Sequence, residues 1–176
     1  MFQGFDGQEA VVSSGYGRLR LAMLWLALSV GWAVSIFTVI EELCLATACS
    51  DTASFTFFGV GMGWFGIAYF SAILVTLWLR RKIQLLEWAL TALVSVGAGA
   101  ELRLLWIQKY IIGAWCPLCV TICCALFVAA TLLLIERICA VRSTAGEKGW
   151  AGWLTFSATM SAIGLVVAYF GVKALT

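Results

Sequence analysis

The sequence predicts an all-α integral membrane protein, and three observations carry that reading. Of 176 residues, 63% are hydrophobic and only 11% charged, with a mean hydropathy of +1.02. A soluble domain is nearer half apolar and a quarter charged. The apolar residues also gather into stretches of the length a bilayer requires, about 20 residues per spanning helix. Finally, Lys and Arg concentrate between alternate stretches. This composition excludes a soluble globular domain and a disordered chain. The chain has no His, which excludes His-ligated haem, His-containing zinc sites and His-based acid–base catalysis within it. A net charge of +2 is too small to suggest nucleic-acid binding.

The elements follow in order. Residues 1–17 are polar and are expected to form a mobile cytoplasmic tail, with a membrane domain over 18–176. Leu21 to Ile40 is uncharged and predicts a helix over about 19–40. The stretch Ala46-Thr47-Ala48-Cys49 faintly resembles a lipoprotein cleavage site. The apolar run is longer than a signal-peptide core, and Glu41 and Glu42 intervene, so the segment is expected to remain as a helix. An outer loop over 41–58 follows. Thr52 to Leu79 is uncharged, and its later part predicts a helix over 59–79. Ile83 to Ile107 is the weakest stretch, because Glu87, Glu101 and Arg103 interrupt it. The distribution of basic residues requires a crossing there, over about 83–107. Trp115 to Ile135 predicts a helix over 115–137, and Gly149 to Val172 one over 150–172.

Lys and Arg favour the cytoplasmic side of a membrane protein. With the N-terminus in the cytoplasm, Arg18, Arg20, Arg80, Arg81, Lys82, Arg137, Arg142 and Lys148 all fall on that side. These are eight of the eleven basic residues. Five spans then put the C-terminus outside, in the periplasm if the membrane is a bacterial inner membrane.

That orientation gathers four of the seven Cys on the outer side. Cys44 and Cys49 lie in the first outer loop. Cys116 and Cys119 belong to Trp115-Cys116-Pro117-Leu118-Cys119, where the fourth span begins. Thiols in an oxidising compartment tend to pair, and two pairs on one side suggest a disulfide relay. Pro117 suits the first turn of a helix, because its missing N–H would have no partner there. The helix dipole at such a start favours a thiolate, the attacking species in disulfide exchange. Two Cys at i and i+3 share a helical face. Spacing alone leaves other readings open: inert buried thiols, or half of a zinc site that would need all four outer thiols. Likewise, Cys44 and Cys49 fit either a structural staple or a shuttle that passes electrons from a soluble thiol.

A dithiol oxidised in the membrane needs an electron acceptor. The sequence has no nucleotide or flavin fingerprint, and a lipid-soluble quinone needs none. It needs an apolar, aromatic pocket between helices near the thiolate. Trp64, Phe65 and Tyr69 are candidates for it, with Trp106 and Tyr110, unless these are interfacial aromatics of the common kind. Cys123 is i+4 from Cys119 and is a further candidate, or else a small buried side chain. Cys124 and Cys139 are read as inert. Glu101 and Arg103 lie near the outer boundary, where charged groups are often functional. They could assist proton uptake by a reduced quinone or simply reach the interface.

Three segments together resemble the vitamin K epoxide reductase (VKOR) family, in its bacterial disulfide-forming branch. They are Cys44-Leu45-Ala46-Thr47-Ala48-Cys49-Ser50, the run from Phe58-Gly59-Val60-Gly61 through Tyr69-Phe70, and Gln108-Lys109-Tyr110-Ile111-Ile112-Gly113-Ala114-Trp115-Cys116-Pro117-Leu118-Cys119. The resemblance covers roughly Leu21 to Ile135 and includes the order of the four outer Cys. It implies a four-helix bundle around a quinone, ubiquinone or menaquinone, with a fifth transmembrane helix. It implies that Cys119 reduces the quinone, that Cys116 exchanges with Cys49, and that Cys44 meets the incoming thiol. Ser54 matches a loop Ser near the quinone. Because the sequence ends at Thr176, the resemblance also implies a separate periplasmic thioredoxin-fold (DsbA-like) partner. The chain departs from the family at Gly61, where the family has Pro. Met62 stands near a family Asn, and Cys123 at a family Tyr, both of which contact the quinone. Loss of these two donors favours simple quinone reduction over epoxide reduction.

The function so expected is that of a membrane thiol:quinone oxidoreductase with no metal. The loop pair precedes the membrane pair, which disfavours a DsbB-type enzyme. A thiol-rich metal-binding or transport protein is the alternative from another class, and a non-catalytic membrane subunit with structural disulfides is a third. The topology has a direct test. Alkaline phosphatase fused after Thr176 should be active, and the same reporter fused before the first span inactive. The reverse pattern, or equal activity at both ends, would contradict five crossings in this orientation.

Overall fold

Lipid offers no hydrogen bonds to a backbone, so a spanning segment must bond its own N–H and C=O groups, as an α-helix does. The computed structural model describes residues 6–44, 55–80, 85–113, 115–144 and 148–174. Helices α1 (Asp6–Cys44), α2 (Met62–Leu79), α3 (Leu85–Ile107), α4 (Pro117–Thr144) and α5 (Lys148–Gly171) make up most of them. Each contributes a segment long and apolar enough to cross a membrane: Gly17–Glu41, Met62–Leu79, Leu85–Ile112, Pro117–Cys139 and Ala151–Gly171. All five expected spans are therefore present as helices.

The boundaries differ in instructive places. Helix α1 begins at Asp6, so residues 6–17, expected as a tail, continue the helix. It also runs through Cys44, which puts that residue in the last helical turn rather than in a loop. Helix α3 passes without a break into a π-helical turn, Gln108–Ile112. Three short strands also form, where none was expected. Strands β1 (Phe55–Phe57), β2 (Val60–Gly61) and β3 (Val172–Ala174) make an antiparallel sheet in the order β2-β1-β3. Strands of two or three residues are too short for an alternation to stand out, so their sequence carries little strand signal. The turn between β1 and β2 has positive φ at both Phe58 (51°) and Gly59 (84°), the backbone that a two-residue hairpin turn favours.

Helices α1 to α4 close into a ring, α1 packing on α2 and α4, and α3 on α2 and α4. Helix α5 lies outside it against α3 and α4. The α3–α5 approach is backbone to backbone. A Cβ on Gly99 would overlap the Ser161 carbonyl, and one on Gly164 would overlap the Val96 carbonyl. Small residues allow such contact between helices in lipid. The Ser161 hydroxyl adds a hydrogen bond of 3.0 Å to the Ser95 carbonyl.

One half of the ring is filled. Leu24, Leu28, Phe70, Ile73, Leu77, Leu90, Val94, Leu126, Ala129 and Leu133 form its core. Beyond them, Arg80 pairs with Glu136 at 3.2 Å and Arg137 with Glu87 at 2.5 Å, tying α4 to α2 and α3. Trp88 stacks on Trp153 at 3.8 Å, and the Arg137 guanidinium lies over the Trp153 ring. The outward faces stay apolar, with Leu26, Trp78 and Phe170 each more than 60% exposed, as suits helices solvated by lipid. The other half of the ring, where Cys116 and the sheet lie, is the cysteine end.

The α3–α5 contact predicts a contrast within one helix. Gly164→Ala should destabilise the protein by about 1–3 kcal/mol through overpacking. Gly152→Ala, with nothing within 4 Å of the new Cβ, should be neutral or gain up to about 1 kcal/mol of helix propensity. Unfolding temperatures in detergent check this. Equal effects at both positions would contradict the close approach.

Candidate functional site

At the cysteine end the ring is hollow. A cavity of about 210 Å³ lies among all five helices and the sheet. For scale, an apolar cavity of roughly 150 Å³ takes up benzene. Gly63 and Gly66 on α2 and Gly97 and Ala100 on α3 lie along its wall, and a Cβ on the three glycines would overlap Val39, Ser35 and Tyr69, so they let the helices that frame the cavity approach closely. Phe57 of β1 closes one side, its ring 4.4 Å from that of Phe65. Strand β3 pairs with β1, so the last residues of α5 are tied to this closure.

Both cysteines of the Cys-Pro-Leu-Cys segment line the cavity. Their placement is set by the backbone. The chain leaves the π-turn through Gly113, whose φ of 73° needs glycine-like freedom and whose N–H donates to the Gln108 carbonyl at 2.9 Å. Helix α4 then begins at Pro117. The Cys116 carbonyl accepts the first helical bond, from the Val120 N–H at 3.1 Å, which makes Cys116 the N-cap and Pro117 the first helical residue. Cys119 sits in the first turn, where backbone N–H groups lack helical partners and the dipole favours an anion. Cys116 is buried, and Cys119 is partly exposed.

The remaining expected residues divide. Met62, Phe65 and Tyr69 line the cavity. The Tyr69 hydroxyl is committed elsewhere, donating to the Leu93 carbonyl at 2.6 Å across the α2–α3 interface. Trp64 is 55% exposed and is not part of the wall, and Trp106 and Tyr110 pair with each other on the exposed surface. Cys123 is buried, but the α4 face toward the cavity runs through Cys119, Ile122 and Leu126. That is an i, i+3, i+7 line, and Cys123 lies beside it. Cys124 and Cys139 are exposed. Cys49 and Ser54 lie outside the described residues, and of Cys44 only the backbone position is described.

Glu101 and Arg103, considered together in sequence, part company in space. Glu101 lines the cavity. Arg103 lies over the rings of Trp106 and Tyr169, at 4.4 and 4.7 Å. Among the cavity residues that escaped the sequence reading, two carry a carboxyl or carboxamide group. Gln108 is 2% exposed and lines the wall, and Glu41, taken for a loop acid, does so from the last turns of α1. The available signal was spacing: Glu101, Leu104 and Gln108 fall on one helical face.

The Tyr69 bond predicts that Tyr69→Phe lowers stability by about 1 kcal/mol, measured as thermal unfolding in detergent. An unchanged unfolding temperature would show that the hydroxyl contributes nothing to the α2–α3 contact. No protein-family model, curated protein or solved structure matches this chain.

Proposed function

We propose that this protein is a membrane thiol:quinone oxidoreductase that makes disulfides. The observation that carries the reading is that Cys116 and Cys119, at the start of a helix, line one apolar cavity between spanning helices. A quinone ring there would lie beside the pair that reduces it. Two electrons leave the dithiol as it becomes a disulfide. The quinone takes up those electrons and two protons and leaves as hydroquinone. The membrane disulfide is then restored to a dithiol by Cys44 and Cys49, which in turn take electrons from a thioredoxin-fold protein with a reduced dithiol. Each exchange forms one disulfide and reduces another, so the net products are one partner disulfide and one hydroquinone.

The orientation belongs to the same proposal. Arg80 and Arg137 lie at the end opposite the cysteines, which supports a cytoplasmic position for that end. The cysteine end then faces the oxidising side, the periplasm of a bacterial inner membrane. The VKOR-like order of the four cysteines supports the direction of the relay.

The test is quinone-dependent oxidation of a reduced thioredoxin-fold protein by the purified chain. Cys119→Ala and Cys116→Ser should each abolish it, while Cys139→Ser retains it. Full activity in both cavity variants would overturn the proposal.

A further inference from the structure

The cavity wall is apolar except for a few groups, which include the carboxyl of Glu101, and its three hydroxyls are already bonded. The Ser35 and Thr38 hydroxyls donate to carbonyls one turn back on α1, at 2.9 Å each. The Tyr69 hydroxyl donates to Leu93. Two oxygens stand apart. Gln108 Oε1 and Glu41 Oε2 are buried and have no hydrogen-bond partner among the described residues. They come from different helices and line the same cavity as Cys116 and Cys119. A buried polar atom left unbonded is costly, and two around one space point to an occupant that bonds them.

The backbone fixes Gln108 in this position. It is the first residue of the π-turn, and its carbonyl accepts the Gly113 N–H that closes that turn. π-turns inside helices recur at functional sites. Here the turn holds Gln108 on the wall of the cavity that the two cysteines also line, while Glu101, seven residues earlier, lies about 10 Å away along the helix.

We propose that Gln108 and Glu41 bind the oxygen substituents of the ring compound held in this cavity. The inference rests on the quinone reading above and adds the residues that recognise the ring. A carboxamide can donate from its NH₂ and accept at its oxygen. Gln108 therefore serves the ring in both redox states, donating to a quinone carbonyl and accepting from a hydroquinone hydroxyl. A carboxylate at Glu41 only accepts, so it favours the hydroquinone, whose hydroxyls donate. The Cys116–Cys119 end of the cavity supplies the electrons, and this wall holds the ring against it.

The experiment measures binding of a short-tailed benzoquinone, and under argon its hydroquinone, to the full chain in detergent by quenching of Trp fluorescence. Gln108→Met keeps the side-chain size and removes the hydrogen bonds. It should weaken binding of both forms by about tenfold. Glu41→Met should weaken the hydroquinone more than the quinone, with Glu41→Gln recovering part of the loss. Wild-type affinity for both forms in Gln108→Met would overturn the inference, and would mean that water alone satisfies the amide. Should that variant not fold, infrared spectra of carbonyl-labelled quinone on the wild-type protein decide. A carbonyl stretch lowered by hydrogen bonding is expected, and two unshifted carbonyls would overturn it. The two proposals separate cleanly. A wild-type protein that binds no quinone ends both, whereas a bound quinone indifferent to Gln108 ends this one alone.

Discussion

Everything in this structure follows from the need to bond the backbone internally where water is absent. Five long helices meet that need along most of the described chain. The regular α pattern gives way mainly at the cysteine end, in the π-turn, the left-handed Gly113, the N-cap at Cys116 and the three-stranded sheet. Irregular backbone at membrane depth is tolerated where it is buried in protein or lines a cavity. The cavity and the irregular segments therefore belong together, and the two cysteines sit where they meet.

The same ring of helices is solid at one end and hollow at the other. Leucines and Phe70 interlock in the filled half. In the hollow half, glycine and alanine on α2 and α3 line the wall, and the sheet closes over the space from one side. The ion pairs and stacked rings at the filled end hold the helices together away from the cavity. Rigidity and openness are thus placed at opposite ends of one bundle, which leaves the site room for a ligand without loosening the fold.

Much of the helical architecture was legible in the sequence, because apolar run length is a strong signal that needs no tertiary information. Pro117 likewise marked the start of α4 correctly, since the residue has only one comfortable place in a helix. The strands were not legible, because two or three residues do not define a period. The cavity wall was only partly legible. Aromatic residues near a presumed interface look alike in sequence, whether they lie on the outer surface as Trp64 does or line the cavity as Phe65 does. The spacing of Gln108 from Glu101 put it on a shared helical face, but its significance lies in being buried and unbonded among the described residues, which no single-residue property announces. Cys123 shows the limit of periodicity itself: i+4 from Cys119 reaches the same general face, but the cavity follows i+3.

The central claim is that the cavity beside Cys116 and Cys119 is where the quinone binds. Photoaffinity labelling with an azido-quinone, followed by mapping of the modified residues, tests it most directly. The account predicts labels on the wall, at residues such as Phe65, Leu104 and Ile122, and their loss when excess unlabelled quinone competes. Labels confined to lipid-facing residues such as Leu26, Trp78 and Phe170, with no competition, would contradict it.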